Sequence, residues 1–168
     1  MRIGIPREIK PKEARVALIP EACGDLVRNG YRVLVERGAG AASGFVDADY
    51  AAAGAALVDD ARHIYEQADL VVKVKEPWGA ELDLLREGQI LFSFLHLAAE
   101  PALAGRLCQT GVTALAFETV ADGRRLPVLA PMSDIAGRLA VQIGANLLHA
   151  PNGGKGLLLG GLAAAQRG

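Results

Sequence analysis

Lys75 and His96 stand at the ends of two short apolar runs, LVVKV at Leu70–Val74 and ILFSF at Ile90–Phe94, in the longer strings VKVKEP and SFLHLAAEP. Both runs have the length and β-rich composition of strands, and the turn residues Pro77–Gly79 plus a charged segment of helical spacing, Glu81–Arg86, lie between them. If the strands are parallel neighbours, both side chains emerge just past carboxyl ends, the edge of an open α/β sheet where ligands bind. Arg15 joins them as a third candidate. It closes a polar loop containing Arg7, Lys10 and Lys12 and stands directly before the apolar run Val16–Ile19, which puts its guanidinium near the same edge. A guanidinium grips a carboxylate through paired hydrogen bonds, an ammonium polarises a carbonyl oxygen, and an imidazole moves protons near neutral pH. Each residue also has a plain structural explanation: a surface ion pair for Arg15, a solvated strand end for Lys75, a satisfied core histidine for His96. The conjunction of two cations and an imidazole at one edge favours a site for a small anionic substrate with acid/base chemistry.

The elements that position these residues recur along the chain. Strand-like runs fall at Arg2–Ile5, Arg32–Glu36, Ala56–Val58, Leu70–Val74, Ile90–Phe94 and Thr113–Ala116. Segments of helical spacing fall at Pro20–Asn29, Asp47–Ala53, Asp60–Gln67, Glu81–Arg86 and Glu100–Thr110. The alternation predicts a doubly wound α/β fold, a mostly parallel sheet with helices on both faces. After Ala116 come a polar stretch and a long helical segment over Ser133–Leu148, with Ser133 as its N-cap and Asp134 in its first turn, broken by Pro151–Gly154. The expected organisation is an α/β domain over 1–132 and a connector helix and tail over 133–168.

Composition narrows the partners. A formal net charge of −1, from 18 basic and 19 acidic residues without long blocks, gives no electrostatic reason to expect nucleic acid or an anionic membrane. The longest apolar tract, Gly156–Ala165, is too short to span a bilayer, and the N-terminus has no apolar leader. Cys23 and Cys108, outside any CxxC, read as reduced, buried thiols of a cytoplasmic protein, with no metal site. The glycine clusters at Gly38–Gly44 and Gly153–Gly161 match neither GxGxxG nor GxxxxGK, so both read as turns or chain crossings.

With those residues in place, six ordered blocks resemble the N-terminal half of the family shared by alanine dehydrogenases and the transhydrogenase α subunit: RIGIPREIKPKEARVALIP, VLVERGAGAASGF, VVKVKEP, LFSFLHLAAEP, FETVADGRRLPVLAPMSDIAGRLAVQIGA and GGKGLLLGG. The histidine in HLAAEP resembles the dehydrogenase branch. The resemblance implies that Arg15 and Lys75 bind the substrate carboxylate and carbonyl oxygen, that His96 is the acid/base, and that Ser133 touches the phosphates of NAD. The implied reaction is oxidation of L-alanine to pyruvate and ammonia by hydride transfer to NAD and hydrolysis of an imine. The family's glycine-rich dinucleotide fingerprint is not in these residues, and GLAAAQRG stands where the family usually has a Gly-Val-Pro-Gly turn. The implied protein is therefore a truncated or split half, inactive alone, in a homo-oligomer or with a nucleotide-binding partner chain. Half of a split transhydrogenase, or a non-enzymatic module for small carboxylates, are the alternatives. The tail over 156–165 is expected to be partly exposed and to promote association.

Overall fold

A computed structural model describes residues 1–160. By compactness the chain divides into two units, Met1–Val120 and Ala121–Gly168.

The first unit is built on six strands, β1 (Arg2–Ile5), β2 (Arg32–Glu36), β3 (Ala56–Val58), β4 (Leu70–Val72), β5 (Ile90–Ser93) and β6 (Thr113–Ala116). They form one sheet of order β3-β2-β1-β4-β5-β6, and every pairing is parallel, with Ile3 opposite both Val33 and Leu70, and Val72 opposite Phe92. The α/β expectation is met, with a wholly parallel sheet. Strand periodicity explains how both faces are covered. In β2, Val33 and Val35 enter one apolar cluster with Cys23 of α1 (Pro20–Arg28) and Tyr50 of α2 (Asp47–Ala52). Leu34, pointing the other way, enters a second cluster with Ile64 and Tyr65 of α3 (Ala61–Gln67) and Leu103 and Leu107 of α4 (Pro101–Thr110).

Local chemistry places the ends of these elements. The Asp60 side chain caps α3 by accepting the Arg62 N–H at 2.7 Å, and Gly111 closes α4 with φ +69°, a conformation glycine adopts without steric cost. At Gly4 the constraint is space: a Cβ there would stand 2.5 Å from Ile64 Cγ2 and 2.8 Å from Ala68 Cβ, so the missing side chain lets α3 lie against β1.

Four expectations need correction. The segment 81–86 is not an α-helix; a single 3-10 stretch covers Gly79–Asp83, because Glu81 turns inward and its carboxylate accepts the Trp78 N–H at 3.0 Å. Cys108 is exposed, since α4 turns Leu103 and Leu107 to the core instead; Cys23 is buried, and burial pushes its thiol up to about 11. In the second unit, α5 (Ala130–Leu148) begins three residues before Ser133, with Pro131 in its first turn, where a missing N–H costs nothing. Ser133 is consequently not the N-cap: its own N–H donates to the Leu129 carbonyl at 3.2 Å, and Asp134 lies beyond the first turn.

Of the apolar tail expected to be exposed, residues 156–160 are exposed, Leu157, Leu158 and Leu159 among them; the rest of that tail, and all of GLAAAQRG, lies outside the described residues.

Candidate functional site

The strand order has a switch point. From β1 the chain winds outward to β3, then returns to β4 on the other side of β1. In such sheets the loops leaving β1 and β4 diverge and open a crevice at their carboxyl ends. The loop after β1 carries Glu8, Glu13 and Arg15, and the segment after β4 carries Lys73 and Lys75.

A buried charge cluster joins those two loops. Lys73, 1% exposed, places Nζ 2.5 Å from Glu81 Oε1 and 3.6 Å from Glu8 Oε2. The Tyr65 hydroxyl donates to the same Glu81 oxygen at 3.1 Å. Glu8 in turn accepts the Val74 N–H at 2.6 Å and the Lys75 N–H at 3.4 Å. Burial raises the Glu8 carboxyl above its ordinary value, an effect that the Lys73 ammonium partly offsets. Lys75 thus rides on a backbone fastened from both sides, and the Lys10–Glu76 ion pair ties the next residue to the β1 loop. None of this framework was foreseen. The signal was there in VVKVK, because a lysine in a strand of a parallel sheet covered on both faces must be paired.

Arg15 is exposed and engages Glu13: Nε donates to Oε1 at 2.8 Å, Nη2 to Oε2 at 2.7 Å, and the Arg15 backbone N–H to Oε1 at 2.9 Å. Chiefly through the Arg15 side chain, with a smaller contribution from Lys75, the Glu13 carboxyl is held below its ordinary range. Arg15 and Lys75 thus stand on the two segments that leave the switch point, Arg15 on the loop after β1 and Lys75 on the segment after β4. Arg15, Glu8, Glu13, Arg7 and Ala39 line a cleft of about 220 Å³.

His96 lies two strands' width away, just past β5 on the same edge, and it is exposed, not a core histidine. The ladder continues past β4 through Lys73 N–H to Phe92 O and Phe94 N–H to Val74 O, at 3.1 Å each, which fixes the His96 segment against the Lys75 segment. Its backbone has φ +51°, in the left-handed region that non-glycine residues seldom occupy. Glu118, just beyond β6, holds that conformation by accepting the His96 N–H at 2.6 Å and the Leu95 N–H at 3.2 Å. Burial works against the Glu118 charge, but these backbone N–H groups, with the nearby imidazole, prevail and lower its carboxyl below the ordinary range. The imidazole stacks on Phe94, with centroids 6.0 Å apart and planes 8° from parallel, and opens on a cavity of about 350 Å³ whose wall includes Leu97, Ala116, Glu118 and Thr119. Sequence reading passed over Glu118 as part of a polar stretch, although its position after the last strand puts it on the ligand edge.

Ser133 belongs to the second unit, in the first turn of α5, with its side chain exposed. The amides of that turn are already engaged, Met132 and Ser133 with the Leu129 carbonyl and Ala130 with that of Leu126. The described residues of this turn therefore present a hydroxyl and no backbone cradle for phosphate. Among the described residues there is no group of three or more His, Cys, Asp or Glu side chains able to hold a metal ion, and no helix long and apolar enough to cross a membrane.

The chain is a doubly wound α/β domain with Arg15 and Lys75 on the segments leaving its switch point and an exposed imidazole, His96, on the same edge. Residues 4–136 match the family described as alanine dehydrogenase/PNT, N-terminal domain, and the chain belongs to that family. It is 53% identical to the alanine dehydrogenase of Bacillus subtilis (strain 168) across 100% of this chain and 44% of that protein. It is also 53% identical to that of Mycobacterium tuberculosis (strain H37Rv), over 96% of this chain and 44% of the relative. The chain therefore spans less than half the length of these relatives. Among solved structures, an L-alanine dehydrogenase superposes with a TM-score of 0.88 at 48% identity, over 100% of this chain and 46% of the other. The transhydrogenase from Sinorhizobium meliloti is more distant, with a TM-score of 0.66 at 29% identity over 70% of this chain and 34% of the other.

Proposed function

We propose that this chain supplies the substrate-binding and acid/base half of an NAD-dependent L-alanine dehydrogenase, interconverting L-alanine with pyruvate and ammonia. The observation that carries the reading is the joint placement of Arg15 and Lys75 on either side of the β1/β4 switch point, with His96 on the same edge. In this reading the Arg15 guanidinium takes the substrate carboxylate, and the Lys75 ammonium faces the oxygen that becomes the pyruvate carbonyl. The two cations orient the anion and stabilise charge developing on that oxygen. His96 takes a proton from the water that adds to the imine and returns one to the departing amine, a role worth about 10²–10⁴-fold. Its ring is exposed and stacked on Phe94, and its backbone is held by Glu118, which supports the role.

NAD, when bound, would supply the hydride acceptor, and Ser133, by the family resemblance, would offer its hydroxyl to the cofactor's phosphates. The connector over 133–168, a homo-oligomeric or two-chain assembly, and a cytoplasmic location belong to the same proposal. The transhydrogenase reading ranks below it, because His96 and the higher identity along the whole chain both favour the dehydrogenase.

Amide NMR of the labelled chain titrated with pyruvate tests the site. Shifts centred on Arg15, Lys75 and His96 are expected. Saturable shifts confined to other surfaces, or none at millimolar pyruvate, would refute it.

A further inference from the structure

The Arg15 fork, assigned above to the substrate, is already filled by a carboxylate of the protein itself. Nε and Nη2 meet the two oxygens of Glu13 at 2.8 and 2.7 Å, the paired geometry a bound substrate carboxylate would adopt. Surface ion pairs normally leave both side chains in water, whereas here the Glu13 side chain is 7% exposed and that of Arg15 45%. The carboxylate is the more buried member of the pair, and both residues line the cleft of about 220 Å³.

We propose that Glu13 is a resident carboxylate that occupies the Arg15 fork in the unliganded site and yields it to the substrate carboxylate on binding, thereby limiting the affinity of the site for small carboxylates. The inference rests on the reading of Arg15 as the substrate's anchor. Its physical basis is exchange: one ionised carboxylate replaces another on the same donors, so binding gains only the difference between them. Glu13 stays ionised through neutral pH, since Arg15 and Lys75 hold its carboxyl low, so the competitor is always present. The exchange needs only a local movement, because Glu13 belongs to a tight turn closed by its N–H on the Lys10 carbonyl at 3.1 Å, with Lys12 at φ +69°. Glu13 is a positioning residue in this scheme: it holds the Arg15 fork in place until the substrate arrives.

The test is Glu13→Gln, measured by pyruvate titration of the 168-residue chain with amide NMR confirming an unchanged fold. Glutamine keeps the shape and removes the charge, so pyruvate should bind about fivefold more tightly, which is about 1 kcal/mol at about 1.4 kcal/mol per decade. Equal or weaker binding by the variant would overturn the exchange and leave Arg15 as the anchor. Pyruvate binding by neither protein would overturn the substrate assignment and the exchange together. A second readout needs no variant: the side-chain carboxylate 13C resonance of Glu13 should move on saturation with pyruvate, and a resonance that stays fixed while Arg15 shifts would also overturn the proposal.

Discussion

Replacing Glu118 with alanine should cost about 2 kcal/mol of folding stability. The Glu118 carboxylate accepts the N–H of Leu95, a residue 0% exposed, and that of His96, which is exposed. Without it, water can satisfy His96 but not Leu95, and stranding one buried donor costs about 1–3 kcal/mol. The left-handed φ of His96 adds about 1 kcal/mol of backbone strain that the carboxylate holds in place. With a urea m-value of about 2 kcal/mol/M, the denaturation midpoint of Glu118→Ala should fall by about 1 M. The cause can be separated from a general loss of packing by a double-mutant cycle. His96→Gly in the Glu118→Ala background should recover about 0.5–1 kcal/mol, because glycine adopts φ +51° without help. A loss below about 0.5 kcal/mol for the single variant, or no recovery in the double, would refute the argument that Glu118 fixes the conformation of the His96 segment.

Lys73→Met should destabilise by about 3–5 kcal/mol in thermal or urea denaturation, because it leaves the Glu8 and Glu81 carboxylates buried without their counter-charge; adding Glu81→Leu should restore part of the loss. Glu118 has a folded pKa below its ordinary value, so its contribution is complete above the ordinary value and lost as pH falls from there through the lower folded one; Glu118→Gln should flatten the acid limb of the stability curve. Glu8 has the opposite sign: its raised carboxyl contributes stability below the ordinary value that is lost as pH rises through the folded one, so Glu8→Gln should lessen the stability lost as pH rises toward neutrality. Gly4→Ala should be strongly destabilising, since its Cβ would meet Ile64 of α3 and Ala68 just after it and the helix would have to move off the sheet.

Much of this fold is written in local pattern. Four of the six strands, β1, β2, β3 and β6, have the bounds their apolar runs indicate, and β4 and β5 end slightly early while their ladder bonds run on through Val74 and Phe94. Glycines at 30, 54 and 111 follow α1, α2 and α4 with positive φ, which is why those helix ends were legible. The site was legible in part, because residues that follow strands in a parallel sheet share an edge whatever their side chains do. What a sequence read in one dimension hides is pairing across it. Glu81 looks like the start of an exposed amphipathic helix until Lys73, from the neighbouring strand, draws it inward. Glu118 looks like surface polarity until β6 is seen to deliver it to the amides of Leu95 and His96. Ser133 misleads for a different reason: serine before an apolar helical run is a common N-cap, but Pro131 starts the helix earlier.

The most direct test of the account is NADH formation from L-alanine and NAD by the 168-residue chain, alone and mixed with the separately prepared nucleotide-binding half of a related alanine dehydrogenase. Activity is expected only in the mixture, and it should be lost on His96→Ala and on Arg15→Ala. No activity from a folded chain in the mixture, or activity that survives both substitutions, would contradict the assignment of the substrate and acid/base site to this half.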